Sequence, residues 1–203
     1  MANETYFNAK GMTIKDLITT GIFTAITFVL VMAGGGVFAV NPVLTFYMPL
    51  GSALLAGPVF LLLMAKVPKR WPTIIMGTLF GVFFLATGMH WALAVGYILM
   101  GIAASIVTAL KKYKSVKMNI LSYMVFSLGG TGSYLMYFIN PQSWGNLMLN
   151  NGTDLAYIEA MNAAAQGWIP VVILAGTLAV AALSGWAGSK LLKKQFEKAG
   201  IIA

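Results

Sequence analysis

The chain has 203 residues, 59% of them hydrophobic and 9% charged, with a net charge of +8 and a mean hydropathy of +0.83. Soluble domains carry roughly 25% charged residues, so most of this surface cannot face water. The absence of cysteine excludes disulfides, thiolate metal sites and cysteine nucleophiles.

The length suits a single membrane domain over residues 1–203, with no separate soluble enzyme expected. Residues 1–16 are polar and carry both signs (Glu4, Lys10, Lys15, Asp16), unlike a signal peptide. A membrane helix needs about 20 apolar residues, and six candidates follow. The first runs from Leu17 to Val40, behind a capping-box spacing at Thr13 and Asp16. Asn41-Pro42 makes a short turn, and the second runs from Val43 to Ala65 with Pro49 and Pro58 as candidate kinks. The third spans Pro72 to Thr87, with proline suited to a first turn. The fourth spans Trp91 to Leu110, the fifth Met118 to Phe138 and the sixth Trp168 to Leu192. Residues 140–167 form a longer connection, opened by Asn-Pro and turned again at Asn150-Asn151-Gly152. Within it, residues 154–166 read as a short amphipathic helix with Leu155, Ile158, Met161 and Ala165 on one face. This segment is expected to be an ordered outer cap. The expected class is thus an all-α integral membrane protein of six transmembrane helices.

All 13 lysines and arginines fall before the first span, between the second and third, between the fourth and fifth, or at the end of the sixth and after it. The other three connections carry only Asp154 and Glu159. By the positive-inside rule both termini are expected in the cytoplasm. Trp71 and Trp186 then sit near the inner interface, and Trp91, Trp144 and Trp168 near the outer one.

No charged residue lies between Leu17 and Ala65, between Trp71 and Leu110 or between Met118 and Phe138. Ion-coupled carriers usually place ionisable groups inside the bundle, so that engine is disfavoured. There is no Walker A sequence and no G-x-S-x-G elbow, and the single histidine, His90, has no evident catalytic partner. Neither an enzyme nor a cofactor is expected. Small residues recur at four-residue spacing in Gly21 and Ala25, Gly77 and Gly81, and Gly101 and Ser105. Such pairs either pack helices inside the bundle or form a docking groove for another membrane protein.

Polar and aromatic groups gather at the outer helix ends. They are Asn41, Tyr47, His90, Trp91, Tyr97, Tyr134, Tyr137, Asn140, Asn162 and Trp168, with Trp144, Asn146 and Gln166 beside them in the cap. Together they suit a flat, polar, uncharged heterocycle. An interfacial aromatic belt is the alternative.

The stretches Thr13–Ala25 (TIKDLITTGIFTA), Ala65–Pro68 (AKVP), Thr73–Gly81 (TIIMGTLFG), Phe84–Trp91 (FLATGMHW) and Lys112–Phe126 (KYKSVKMNILSYMVF) resemble, in order and spacing, the substrate-binding S components of energy-coupling factor (ECF) vitamin transporters. The chain looks most like their Trep_Strep branch. The resemblance implies a six-helix bundle that works with a membrane coupling subunit and two cytoplasmic ATPases. It implies substrate capture on the outer side and delivery by toppling of the loaded bundle in the membrane. It implies docking on the coupling subunit through a small-residue face of the first helix. That face matches Gly21 and Ala25, with glycine where the family carries alanine. It suggests a pyridoxine-like or hydroxymethylpyrimidine-like substrate. A stand-alone secondary carrier or channel for a small neutral solute is the competing reading.

Overall fold

In the computed structural model, residues 11–198 are described; Glu4 and Lys10 of the polar N-terminal segment lie outside them. The described residues form ten α-helices and two 3-10 turns.

Helix α1 (Ile14–Ala39) starts where the capping box places it. Thr13 Oγ1 accepts from the Asp16 N–H, and the Asp16 carboxylate accepts from the Thr13 N–H at 2.8 Å. Asp16 also pairs with Lys69 at 2.7 Å, which ties the start of α1 to the connection after α2. The buried face of α1 is Thr20, Thr24, Thr27, Val31, Gly34 and Gly35. That spacing of three and four makes one narrow seam. Ile18, Ile22, Ile26 and Val29 are exposed, as expected of a lipid-facing side.

A 3-10 turn over Thr45–Tyr47 leads into α2 (Met48–Lys66). Gly34 and Gly51 face each other so closely that a Cβ on either would strike the other's backbone carbonyl. Helix α2 is the most buried span and packs on α1, α5 and α9. Pro58 lies inside it and has no N–H to give the Leu54 carbonyl four residues earlier. Ser184 of α9 (Ile169–Leu191) donates its hydroxyl to that carbonyl at 2.6 Å. A neighbouring helix thus repairs the bond that the proline removes.

Helices α3 (Trp71–Ala86) and α4 (Trp91–Ala109) cross through Gly77, Gly81 and Gly101. A Cβ on Gly101 would sit 2.6 Å from the Thr73 carbonyl and 3.1 Å from Gly77 Cα. Ser105 donates to the Arg70 carbonyl at 2.7 Å. Both pairs therefore serve packing within the bundle. Gly21 differs, because nothing among the described residues lies within 4 Å of where its Cβ would stand.

The expected fifth span is broken. Helix α5 (Val116–Ser127) gives way to a 3-10 turn over Leu128–Thr131, and α6 (Gly132–Ile139) follows. Gly129 packs under α4, where a Cβ on Gly96 would meet its carbonyl at 2.6 Å. Two consecutive glycines give little helical preference, and the close approach fixes the break there. Among the described residues four segments are long and apolar enough to cross a membrane: Ile14–Ala39, Thr45–Lys66, Trp91–Ala109 and Ile169–Leu191. Helix α3 is apolar but has only 16 residues. At 1.5 Å per residue it is about 24 Å long, short of a hydrocarbon core of about 30 Å. The described fold is therefore all-helical with four full-length candidate spans, one short apolar helix and one divided segment.

The segment expected to hold one cap helix holds two. Helix α7 (Pro141–Asn150) precedes the turn at Asn151-Gly152, where Gly152 takes a φ of +89°, and α8 (Leu155–Ala164) follows. Ile158 and Met161 of α8 are buried, whereas Leu155 points outward at 56% exposure. Trp144 is buried in the cap core. The other four tryptophans are about half exposed, with Arg70 over Trp71 and Lys190 over Trp186. A helix α10 (Lys193–Lys198) ends the described chain.

Candidate functional site

Between α1, α2, α4 and the broken fifth segment, under the α7–α8 cap, lies a cavity of about 460 Å³. This is within the range of small-molecule sites. Helix α1 gives Val31, Met32, Gly36 and Ala39 to its wall, and the start of α2 gives Met48, Pro49 and Ser52, with Thr45 just before it. Phe84, Met89, Leu93 and Tyr97 come from α3, α4 and the turn between them. Gly130, Ser133 and Tyr134 come from the broken segment, and Trp144, Met148, Thr153 and Tyr157 from the roof. The roof is tied down on two sides. Asn151 Nδ2 donates to the Gly88 carbonyl at 2.6 Å, and the Tyr157 hydroxyl donates to the Ala39 carbonyl at 2.8 Å.

Among the described residues, none that lines this cavity is charged. Its surface combines four methionines with five aromatic rings and a few hydroxyls. Thioethers are polarisable and adapt to the faces of rings. Most of the polar groups are already paired. The Tyr134 hydroxyl donates to Met48 Sδ at 2.8 Å, with Thr45 Oγ1 3.5 Å away. Trp144 Nε1 donates to Ser133 Oγ at 2.9 Å, and Ser52 donates to the Val31 carbonyl at 2.9 Å. The Tyr97 hydroxyl has no hydrogen-bond partner among the described residues, although the residue is only 3% exposed. Its ring is held by Phe84, stacked at 5.4 Å, by Phe80 edge-on and by the tilted ring of Phe126.

Residues 14–198 match the family described as hypothetical bacterial integral membrane protein (Trep_Strep). The chain belongs to this family. Searches of curated proteins and of solved structures return no match. With a family of integral membrane proteins and several long apolar helices, this Trep_Strep chain is a multi-pass membrane protein.

The ten residues singled out in the sequence fall into distinct places. Tyr97 and Tyr134 line the cavity. Tyr137 and Asn162 stand behind its wall, joined by a 2.7 Å bond from the tyrosine hydroxyl to Asn162 Oδ1. Tyr137 also meets the Trp144 ring edge-on at 5.4 Å. Three others cap backbone. Asn41 Oδ1 accepts from Val43 N–H, His90 Nδ1 from Ala92 N–H and Asn140 Oδ1 from Ser143 N–H. Burial pushes the His90 imidazole below its ordinary value, toward the neutral form that can accept this bond. Trp91 and Trp168 are more than half exposed, and Tyr47 packs in the cluster around Phe46. The methionine lining was not anticipated. Met32, Met48, Met89 and Met148 carry no sequence signal separating a cavity wall from a helix core. Gly21 and Ala25 lie on the outer side of α1, away from the cavity.

Proposed function

We propose that this protein is the substrate-capturing subunit of an ECF-type importer in a bacterial plasma membrane. In this reading α3 and the α5–α6 segment complete six crossings, and both termini lie in the cytoplasm. The observation that carries the reading is the roofed, charge-free cavity at the end of the bundle away from the lysines and arginines. Such a chamber suits a small uncharged vitamin or precursor, of pyridoxine or hydroxymethylpyrimidine type, taken from outside. Energy then comes from partners, namely a membrane coupling subunit and two cytoplasmic ATPases. Support for docking comes from α1, where Ala25 is exposed and the space over Gly21 is open. A flat, small-residue face lets another helix approach closely. The uncharged interior also suits a bundle that topples through lipid, since buried charge in a membrane is expensive.

The test is purification of a tagged copy from its native membrane with identification of what accompanies it. Recovery of one membrane coupling protein and two ATPases is expected. A lone protein that accumulates solute in liposomes without ATPases would replace this reading with that of a stand-alone carrier.

A further inference from the structure

Below the main cavity lies a second hollow of about 10 Å³, room for roughly one water-sized group. The two share Val31, Pro49, Ser52 and Tyr97, so the small hollow is the floor of the large one. Two hydroxyls without partners line it. One is Tyr97, and the other is Thr27 Oγ1, fully buried and unpaired. The remaining polar side chains around the floor are engaged, with Ser52 on the Val31 carbonyl, Ser127 on the Tyr123 carbonyl and Tyr123 on the Ala53 carbonyl. The buried, unpaired Thr27 hydroxyl is costly to leave alone, and the Tyr97 hydroxyl on the same hollow is also free to take a partner. The geometry is also fixed in advance. A Cβ on Gly129 would lie 2.8 Å from the Tyr97 ring, and one on Gly130 would lie 3.0 Å from its hydroxyl. The helix break thus makes room for Tyr97, and the surrounding aromatic rings hold it in place.

We propose that this floor reads one uncharged hydrogen-bonding group, a hydroxyl, carbonyl or amide, at one edge of a ring ligand whose body lies among the methionines and aromatics above. Tyr97 and Thr27 are then specificity-determining residues, and carboxylated or phosphorylated rings are rejected because no cation among the described residues lines either chamber. This rests on reading the cavity as the capture site.

The test uses the full chain in lipid nanodiscs and three probes of one shape: pyridine-3-methanol, 3-methylpyridine and pyridine-3-carboxylate. Binding is followed by saturation-transfer NMR against empty nanodiscs. In the wild type the alcohol is expected to bind best and the carboxylate worst. Tyr97→Phe and Thr27→Val keep side-chain shape, and their unfolding midpoints verify that they fold. Tyr97→Phe should weaken the alcohol about tenfold, the worth of one good hydrogen bond, and leave 3-methylpyridine unchanged. If the alcohol keeps its advantage in the double variant, or the carboxylate binds as tightly, the floor assignment is overturned while the cavity stands as a site. If no probe binds the wild type, the cavity fails as a ring site and the floor assignment falls with it. Neither result bears on partner recovery, which tests the importer reading separately.

Discussion

Replacing Gly77 by alanine asks whether the α3–α4 crossing is as tight as its geometry implies. The new Cβ would meet the Tyr97 carbonyl oxygen and lie 3.0 Å from Gly101 Cα. Both obstacles are backbone and cannot swing aside. Carbon atoms rest about 3.5–4.0 Å apart, so the helices must separate by roughly 0.5–1 Å, forfeiting a quarter to a half of the attraction at each contact. Overpacking costs about 1–3 kcal/mol, and an unyielding backbone places this case near the top, at about 2–3 kcal/mol. Alanine returns up to about 1 kcal/mol in helix propensity, leaving a net loss of about 1–2 kcal/mol. Gly21→Ala is the matched control, since nothing among the described residues lies within 4 Å of its Cβ. It gains the propensity alone, up to about 1 kcal/mol. The two variants should therefore differ by about 2–3 kcal/mol in equilibrium unfolding by SDS in mixed micelles. A Gly77→Ala protein as stable as wild type, or a Gly21→Ala protein equally weakened, would refute the packing argument.

Gly21→Leu or Ala25→Leu should abolish recovery of the proposed coupling subunit while the unfolding midpoint stays near wild type; an intact complex from either would remove that face from the docking role. Neutral His90 caps α4, and its folded-state value lies below the ordinary 6.5. The unfolded chain therefore takes up the proton first, so stability is full above about pH 6.5 and declines as pH falls below it. Unfolding midpoints measured from pH 5 to 8 should show this slope, and His90→Asn, which can still cap, should flatten it. Trp144→Phe removes the Nε1 bond and leaves the Ser133 hydroxyl buried without its donor. A loss of about 1 kcal/mol is expected in the same unfolding assay. No loss would mean that Ser133 finds another partner.

Where the sequence was informative, a local rule had a single outcome. The Thr13–Asp16 spacing marked the start of α1 because a capping box satisfies two backbone donors at once. The spacing of Leu155, Ile158, Met161 and Ala165 marked α8, although Leu155 turns outward. Elsewhere one residue type served two purposes. Asn41, His90 and Asn140 looked like ligand donors, yet side chains that accept hydrogen bonds at helix ends are equally caps. The fifth segment looked continuous because Gly129-Gly130 is tolerated in many membrane helices. Only the approach of Gly96 and Tyr97 makes it a break. Helix α7 was hidden because proline at its first position reads equally as a turn. The cavity wall was invisible for the same kind of reason, since a methionine facing a void and one facing a leucine have the same neighbours in sequence.

The uncharged lining has an electrical consequence. Moving one elementary charge across a membrane at 100 mV is worth about 2.3 kcal/mol. Among the described residues neither chamber carries a charged side chain, and if the floor takes an uncharged group, as proposed, the membrane voltage has nothing there to act on. Filling and emptying the proposed site would be electrically silent. In the proposed importer a cell that depolarises would therefore keep its grip on the ligand, and the work of import would fall to the ATPase partners.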